Sequence, residues 1–474
     1  MPRRGVRRFG YTQPRVGVRR RAPRTNPQIR TRSLASGAPK GRHTYMASIG
    51  VGLIGLGTVG SGVVEILRRH GEDFARRAGV EIELVRFADR DIARATALGL
   101  DEAAFTTDAA ELIADPRVDV VIELIGGTGA AKQIVLDALR AGKSVVTANK
   151  ALMASSGQEV MDAAAAAGVD IMFEASVGGG IPIIGPLKHS LVSNEITSVA
   201  GIVNGTTNYM LTRMADDGLD YGTALAEAQA KGFAEADPTA DVDGLDAAAK
   251  IAILASIAFN SRVTVDRVPV EGIRHITPAD IAYAREMGYA IKLMAIARRS
   301  PGGIDVRVHP AMIPGTHPLA SVSGVYNAIY VTGDAVGETM FFGEGAGSLP
   351  AASAVVGDLI EVARHLRSNC LNLVGCTCNE QLPVRDIADL EARYFIRFAV
   401  ADKPGVLAAV ASRFGDHGVS IASVIQKKVR ESGDAEIVYV THDASERAVR
   451  AALDEISKLE VVTEVAAVIR VEDL

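Results

Sequence analysis

The segment Gly55-Leu56-Gly57-Thr58-Val59-Gly60 constrains the fold of this chain more than any other stretch. It follows the short apolar run Ile49–Ile54 and precedes the amphipathic stretch Val63–Arg77, so it links a strand to a helix. In G-x-G-x-x-G spacing the first glycine permits a tight turn. The second lets backbone amides approach a pyrophosphate, and the third lets helix and strand pack closely. Phosphate would then rest on free amides at the positive end of the helix dipole. Gly55, Gly57, Thr58, Val59 and Gly60 are therefore candidate dinucleotide contacts, the competing reading being a tight βα turn with no ligand.

The rhythm that follows supports a dinucleotide fold. Glu81–Ala88 alternates like a strand, and Val118–Ile125, Lys143–Thr147 and Ile171–Val177 are apolar runs of the kind found in buried parallel strands. Helical stretches separate them. This predicts a Rossmann-like, doubly wound parallel α/β sheet over residues 46–175. Beyond it, helical stretches (Tyr221–Lys231, Ala247–Phe259) mix with strand-like ones (Val199–Val203, Tyr326–Thr332), as in an α+β catalytic and dimerisation domain over 176–340. Pro350–Arg367 reads as a long helix in a segment of about 340–370 that returns to the first domain. A linker, 371–393, leads to a compact tail, 394–474, in the order strand, helix, strand, strand, helix, strand.

The second strand ends in Phe87-Ala88-Asp89-Arg90-Asp91, and its two cues conflict. An acid there suits the ribose hydroxyl of NAD, whereas an arginine such as Arg90 suits the 2′-phosphate of NADP. Either NADP or NAD is compatible with the sequence.

Charge is unevenly spread. Residues 1–45 hold twelve arginines, one lysine and no acid, so the other 38 basic residues face 56 acids, a net charge of −18. So basic a segment, without apolar periodicity, is expected to be disordered. It reads as an organellar transit peptide, a nucleic-acid-binding arm, or sequence upstream of a true start at Met46. No apolar run is long enough for a membrane span. The expectation is a cytoplasmic protein with neither membrane nor nucleic acid as partner. Cys370, Cys376 and Cys378 fit no disulfide framework or paired zinc pattern, and read as free thiols.

The reacting groups are expected in the stretch from Gly232 to Lys250, which has five acids within twelve residues and runs into a very apolar helix. Asp246 and Lys250 are four apart and share one helix face. A lysine buried beside a carboxylate can donate a proton to a developing alkoxide, as carbonyl reduction requires. The plain alternative is an acidic surface loop with a helix-stabilising ion pair. Lys150, in Thr147-Ala148-Asn149-Lys150, follows a buried strand at the sheet edge where such folds bind ligands.

The pattern Ala228-x3-Gly232-Phe233-Ala234-x2-Asp237-Pro238-x2-Asp241-Val242-x-Gly244-x-Asp246-x3-Lys250 resembles that of homoserine dehydrogenases. The glycine loop, Thr147–Lys150 and Gly201-Ile202-Val203-Asn204-Gly205-Thr206-Thr207-Asn208-Tyr209 agree in order and spacing. The resemblance covers roughly 48–370 and implies NAD(P)-dependent interconversion of L-homoserine and L-aspartate 4-semialdehyde. It implies Lys250 as proton donor held by Asp246, and Lys150 as a contact to substrate and nicotinamide. Glu235 would bind the substrate's amino group, Thr206 would line the pocket, and Gly347 would touch the cofactor. Asn204–Asn208 also reads as a plain helix cap. Glu174-Ala175-Ser176-Val177-Gly178-Gly179-Gly180-Ile181 resembles the family's monovalent-cation loop, implying a structural sodium ion at Glu174, Val177, Gly179 and Ile181. A flexible glycine turn is the alternative.

The tail, with Asp402-Lys403-Pro404-Gly405 before a helix, resembles an ACT domain, a ferredoxin-like module that pairs and binds amino acids. The resemblance implies a homodimer or homotetramer and threonine as feedback inhibitor; the alternative is a tail that only dimerises. Other readings of the whole chain are a reductase of a different amino-acid semialdehyde, or an amino-acid-sensing regulator without chemistry.

Overall fold

The structure, a computed structural model, describes residues 48–429 and 434–474. The expectations for residues 1–45 lie outside the described residues.

Strands β1 (Ser48–Ile54), β2 (Glu81–Ala88), β3 (Phe105–Thr106), β4 (Val120–Glu123), β5 (Ser144–Thr147) and β6 (Ile171–Met172) form a parallel sheet in the order β3-β2-β1-β4-β5-β6. This doubly wound order places a crevice at the carboxyl ends of β1 and β4, where the connections reverse direction. Helices α1 (Thr58–Ala78), α2 (Ile92–Ala97), α3 (Ala109–Ala114), α4 (Ala130–Arg140) and α5 (Lys150–Ala167) connect the strands. The chain leaves β6 earlier than its apolar run suggests. Extension to Val177 is prevented because Glu174–Ser176 forms a helical turn, in which the Glu174 carboxylate captures the amides of Ile183, Ile184 and Gly185 at 2.6–2.8 Å.

The middle region adds β7 (Ile196–Ile202), α6 (Gly205–Asp217), α7 (Tyr221–Ala230), α8 (Thr239–Val242), α9 (Leu245–Ala258) and α10 (Pro278–Glu286). Strands β8 (Tyr289–Ser300), β9 (Gly303–Pro314), β10 (Tyr326–Gly333) and β11 (Gly337–Glu344) complete an antiparallel sheet ordered β11-β10-β7-β8-β9. Helix α9 is apolar on nearly every side because it lies between this sheet and α5, within one continuous core. Helix α11 (Ser348–Ser368) then returns to pack along α1.

The tail folds as β12 (Glu391–Ala401), α12 (Val406–Asp416), β13 (Ile421–Val429), β14 (Asp434–Thr441), β15 (Ala444–Ser445), α13 (Glu446–Ile456) and β16 (Val462–Val471). Apart from the added two-residue β15, which pairs with the start of β12, its element order matches the sequence reading, but its attachment does not. Strand β16 pairs in parallel with β9 (Arg470 with Ala311, Val471 with Met312), so middle and tail strands share one ten-stranded sheet. The linker is also pinned: Glu380 N–H donates to the Asn260 carbonyl and Ile304 N–H to that of Pro383.

Three buried arginines close this seam, at 1–4 % exposure. Arg307 of β9 donates to Glu472 at 2.6 and 3.1 Å, Arg397 of β12 to Asp280 at 2.9 Å, and Arg470 of β16 to Glu271 twice at 2.8 Å. Each pair joins the tail to the middle region. Among the described residues, no helix is long and apolar enough to cross a membrane.

Candidate active site

The glycine loop has the geometry its spacing predicts. Gly55 adopts φ +99°, and a Cβ on Gly60 would lie 2.0 Å from the Gly55 carbonyl oxygen, which only glycine avoids. A fourth glycine was not singled out in the sequence. At Gly62 a Cβ would meet the Ser348 carbonyl oxygen at 2.7 Å, and the Ser348 hydroxyl donates to the Thr58 carbonyl at 2.6 Å. The beginnings of α1 and α11 are thereby clamped together, which brings Gly347 beside the loop. Gly62 continues the glycine spacing by two residues, and that was the available signal.

A crevice of about 800 Å³ opens beside the loop, lined by Gly55, Gly57, Asp89, Arg90, Arg94 and Ile125 among others. Asp89 does not face it freely. Its carboxylate accepts the Leu56 amide at 2.7 Å and Arg94 Nη1 at 3.3 Å. Burial works to raise its pKa, but the amide bonds to Leu56 and Asp91 and the Arg94 charge outweigh that and hold it below the usual value. Arg90 is exposed at the same crevice.

Across the carboxyl edge of the sheet, two helix beginnings bring Lys150 and Lys250 to one carboxylate. Asn149 caps α5, its side chain accepting the Leu152 amide at 3.1 Å, and this sets Lys150 in the first turn. Gly244, at φ +82°, opens α9 and sets Asp246 in its first turn. Lys250 Nζ donates to Asp246 Oδ2 at 2.7 Å and to the Val203 carbonyl at 2.6 Å, while Lys150 Nζ lies 3.1 Å from Asp246 Oδ1. Asn204 Nδ2 donates to Asp246 Oδ2 at 3.0 Å and to Asp241 Oδ1 at 2.7 Å. Burial would raise the Asp246 pKa. The Lys250 and Lys150 charges, with the bonds from Lys250 and Asn204, instead hold it well below the carboxylate range. Lys250 is only 8 % exposed, whereas Lys150 is half-exposed. The site is thus a fixed anion between two ammonium groups, one dry and one open to solvent. Such an arrangement can pass a proton to an oxygen that gains charge.

Other expected residues are placed differently. Glu235 is exposed, and its carboxylate accepts no hydrogen bond among the described residues. The Thr206 hydroxyl is engaged, donating to the Phe233 carbonyl at 2.6 Å and so pinning the acidic loop. Asn204 is indeed the cap of α6, accepting the Thr207 amide at 2.9 Å, and its other side-chain atom orders two acids of the loop. Asp237 accepts the Thr239 amide at 3.1 Å, and Asp243 is gripped by Arg274, so both shape the turn. Sequence reasoning missed Glu123. This fully buried carboxylate accepts the amides of Ile125 and Gly126 at 2.8 and 2.9 Å and the Thr147 hydroxyl at 2.7 Å, tying together the ends of β4 and β5. An acid placed inside the apolar run Val118–Ile125 was its signal.

In the loop 174–181 the Glu174 carboxylate accepts the amides of Ile183, Ile184 and Gly185 at 2.6–2.8 Å and so ties the loop to the segment that follows it. Gly178 and Gly179 take positive φ, and the carbonyls of Val177, Gly179 and Ile181 accept no backbone amide among the described residues. Oxygen donors of that kind suit a hard cation.

Comparison with known proteins follows the same division. Residues 55–174 match the homoserine dehydrogenase NAD binding domain, 182–360 the homoserine dehydrogenase family and 394–461 the ACT domain. A homoserine dehydrogenase of Synechocystis is 48 % identical over 433 residues, spanning 90 % of this chain and 99 % of the relative. The chain belongs to the homoserine dehydrogenase family. A relative of the same name from Bacillus subtilis is 44 % identical, over 90 % of this chain and 99 % of its own. Among solved structures, a homoserine dehydrogenase from Thiobacillus denitrificans superposes with TM-score 0.86 at 44 % identity, covering 90 % of this chain and 98 % of that one. A hyperthermophilic archaeal homoserine dehydrogenase mutant, solved in complex with NADPH, gives TM-score 0.57 at 28 % identity over 66 % of this chain and 97 % of its own. Family membership thus extends over the dinucleotide sheet, the region carrying Lys250 and the tail.

Proposed function

We propose that this chain interconverts L-homoserine and L-aspartate 4-semialdehyde with NAD(P), in the cytoplasm, as a homodimer or homotetramer. The observation that carries the reading is Asp246 held between Lys250 and Lys150 at the carboxyl edge of a dinucleotide-binding sheet. When bound, the nicotinamide supplies hydride for reduction and accepts it in oxidation. Lys250 hands its proton to the aldehyde oxygen as negative charge gathers there, and in the reverse direction takes it back from the hydroxyl. Asp246 and the Val203 carbonyl fix the ammonium, so no reorganisation is needed at that moment. Lys150 steers substrate and nicotinamide. The unengaged Glu235 carboxylate receives the substrate's amino group, and the pinned loop above Thr206 borders its pocket. Oxidation of homoserine, followed by the absorbance of the reduced nicotinamide, tests the reading; no turnover with either cofactor overturns it.

NADP is proposed as the preferred cofactor. Asp89 is already occupied by the Leu56 amide and Arg94, so it is poorly placed to receive a ribose hydroxyl, while Arg90 and Arg94 both line the crevice. Replacing both arginines by alanine should raise KM for NADP by about tenfold or more per guanidinium, since a charge-assisted hydrogen bond contributes about 1.5–3 kcal/mol. KM for NAD should change little. Equal effects on the two cofactors would overturn the preference.

A structural sodium ion is proposed at the carbonyls of Val177, Gly179 and Ile181, with Glu174 bracing the loop from behind through its amide bonds. Threonine is proposed as an inhibitor bound at the tail. There Gly405, at φ +92°, opens α12 without a side-chain cap, leaving exposed amides for a carboxylate. Added threonine should lower homoserine oxidation in the full chain, and Gly405→Val, strained at that φ, should weaken the response. An unchanged rate with saturating threonine would overturn this part.

A further inference from the structure

The turn carrying Asp246 is braced from outside the active site. Residues 269–273 belong to no helix or strand and run between β9 and the α8–α9 turn. On one side Glu271 N–H donates to the Val308 carbonyl at 2.8 Å, and Val308 N–H to that of Pro269 at 2.9 Å. On the other, Ile273 N–H donates to the Val242 carbonyl at 2.8 Å. The contact has no slack. A Cβ on Gly272 would lie 2.3 Å from the Val242 carbonyl oxygen, and one on Gly244 would lie 2.9 Å from Val270. Gly244 is the residue that opens α9, two positions before Asp246.

The third attachment of this segment comes from the tail. The Glu271 carboxylate is gripped by Arg470 of β16 through two parallel bonds of 2.8 Å, from Nη1 and Nη2. Arg470 is itself immobilised. It is 4 % exposed and also donates to Glu446 at 2.9 and 2.8 Å, and Glu446 accepts the Tyr394 hydroxyl at 2.7 Å. A two-pronged guanidinium–carboxylate pair fixes direction as well as distance. The chain of contacts is short: Arg470 to Glu271, then the backbone of Gly272 and Ile273, then Val242 to Gly244, then Asp246.

We infer that Glu271, locked to Arg470, is a positioning residue that sets the Asp246–Lys250 pair from the C-terminal domain. The inference rests on the roles proposed above for Asp246 and Lys250. Misplacement of a catalytic group by about 1 Å can cost on the order of 100-fold in rate, and a partial release costs less. Glu271 touches neither substrate nor cofactor in this scheme. Its removal therefore acts on kcat and leaves cofactor binding alone. The Gln variant is informative because Arg470 keeps Glu446 as its partner, so no buried charge is orphaned and the fold survives.

The test uses the full chain, with homoserine oxidation measured at saturating NADP in wild type, Glu271→Gln, Arg470→Lys and the double variant. Glu271→Gln should lose about tenfold in kcat, a typical size for coupling between sites, with KM for NADP and the melting temperature near wild type. Arg470→Lys keeps the charge but not the fork, and should lose less. The double variant should lose less than the sum of the two single losses, because both changes break the Arg470–Glu271 pair, while the further loss of bonds to Glu446 belongs to Arg470→Lys alone. Glu195→Gln, which breaks an exposed pair with Arg299, is the control and should keep wild-type kcat. Wild-type kcat in Glu271→Gln overturns the inference. So does a loss that is additive in the double variant or that tracks a fall in melting temperature. Failure of the functional reading itself appears separately, as absence of turnover in wild type or normal turnover in Lys250→Ala.

Discussion

Lys250→Ala is expected to lower the turnover of homoserine by about a thousandfold, the middle of the range for losing a positioned general acid or base. Binding of NADPH, followed by its own fluorescence, should stay near wild type, because the Lys250 ammonium hydrogen-bonds Asp246 and the Val203 carbonyl and no residue of the glycine loop among the described residues. The variant should also fold. Asp246 loses its 2.7 Å partner but keeps Lys150 at 3.1 Å and Asn204 at 3.0 Å, so its charge remains compensated. Lys150→Ala makes the contrast. Its side chain is half-exposed, so its loss should raise KM and leave more of kcat. If Lys250→Ala turns over normally, Lys250 is not the proton donor. If Lys150→Ala alone abolishes kcat, the donor is Lys150.

Most of the dinucleotide sheet was legible because each strand is a short apolar run bounded by turn residues, and the glycine loop fixes where the first strand ends. The Asp246–Lys250 pair was legible as well, since four-residue spacing on a helix leaves little freedom. From spacing alone the second lysine was a residue at a sheet edge, and its role came from the family resemblance. That Lys150 and Lys250 share one carboxylate depends on how α5 packs against α9, and spacing does not encode that. At Glu174 it is the strand's extent that was misjudged. The apolar run reads as a strand to Val177, whereas the chain turns at Glu174, whose carboxylate organises three amides nine to eleven residues downstream. The fusion of the tail to the middle sheet was illegible too. A two-residue parallel pairing leaves no periodicity, and arginines spread over β9, β12 and β16 look like any solvated charges until their partners are known.

Those arginines make the tail part of the middle region's structure, and Glu472 measures how firmly it is held. Its carboxylate is the anion for Arg307, which is 1 % exposed, and lies 3.2 Å from the buried His309 and 3.5 Å from Arg298. Glu472→Gln preserves shape and removes the charge, leaving the Arg307 guanidinium buried without a counterion. Breaking a buried pair from one side costs about 3–5 kcal/mol, although the intact pair adds little net stability. The variant should therefore melt several degrees lower, and its deficit should depend on pH. Burial opposes ionisation of Glu472, but Arg307, His309 and Arg298 prevail and hold its pKa well below the ordinary 4.5. A carboxylate with a depressed folded pKa contributes stability that is fully present above its unfolded value and is lost as pH falls toward the folded one. Wild type should thus lose its advantage over Glu472→Gln as pH drops below about 4.5, with the two melting curves converging in acid. A constant gap at all pH values would mean that the loss is one of packing rather than charge. Deletion of residues 390–474 removes Glu472 along with the tail, so it tests stability before it tests regulation. Inhibitor responses are better compared in full-length variants such as Gly405→Val, in which the seam of Arg307, Arg397 and Arg470 remains closed.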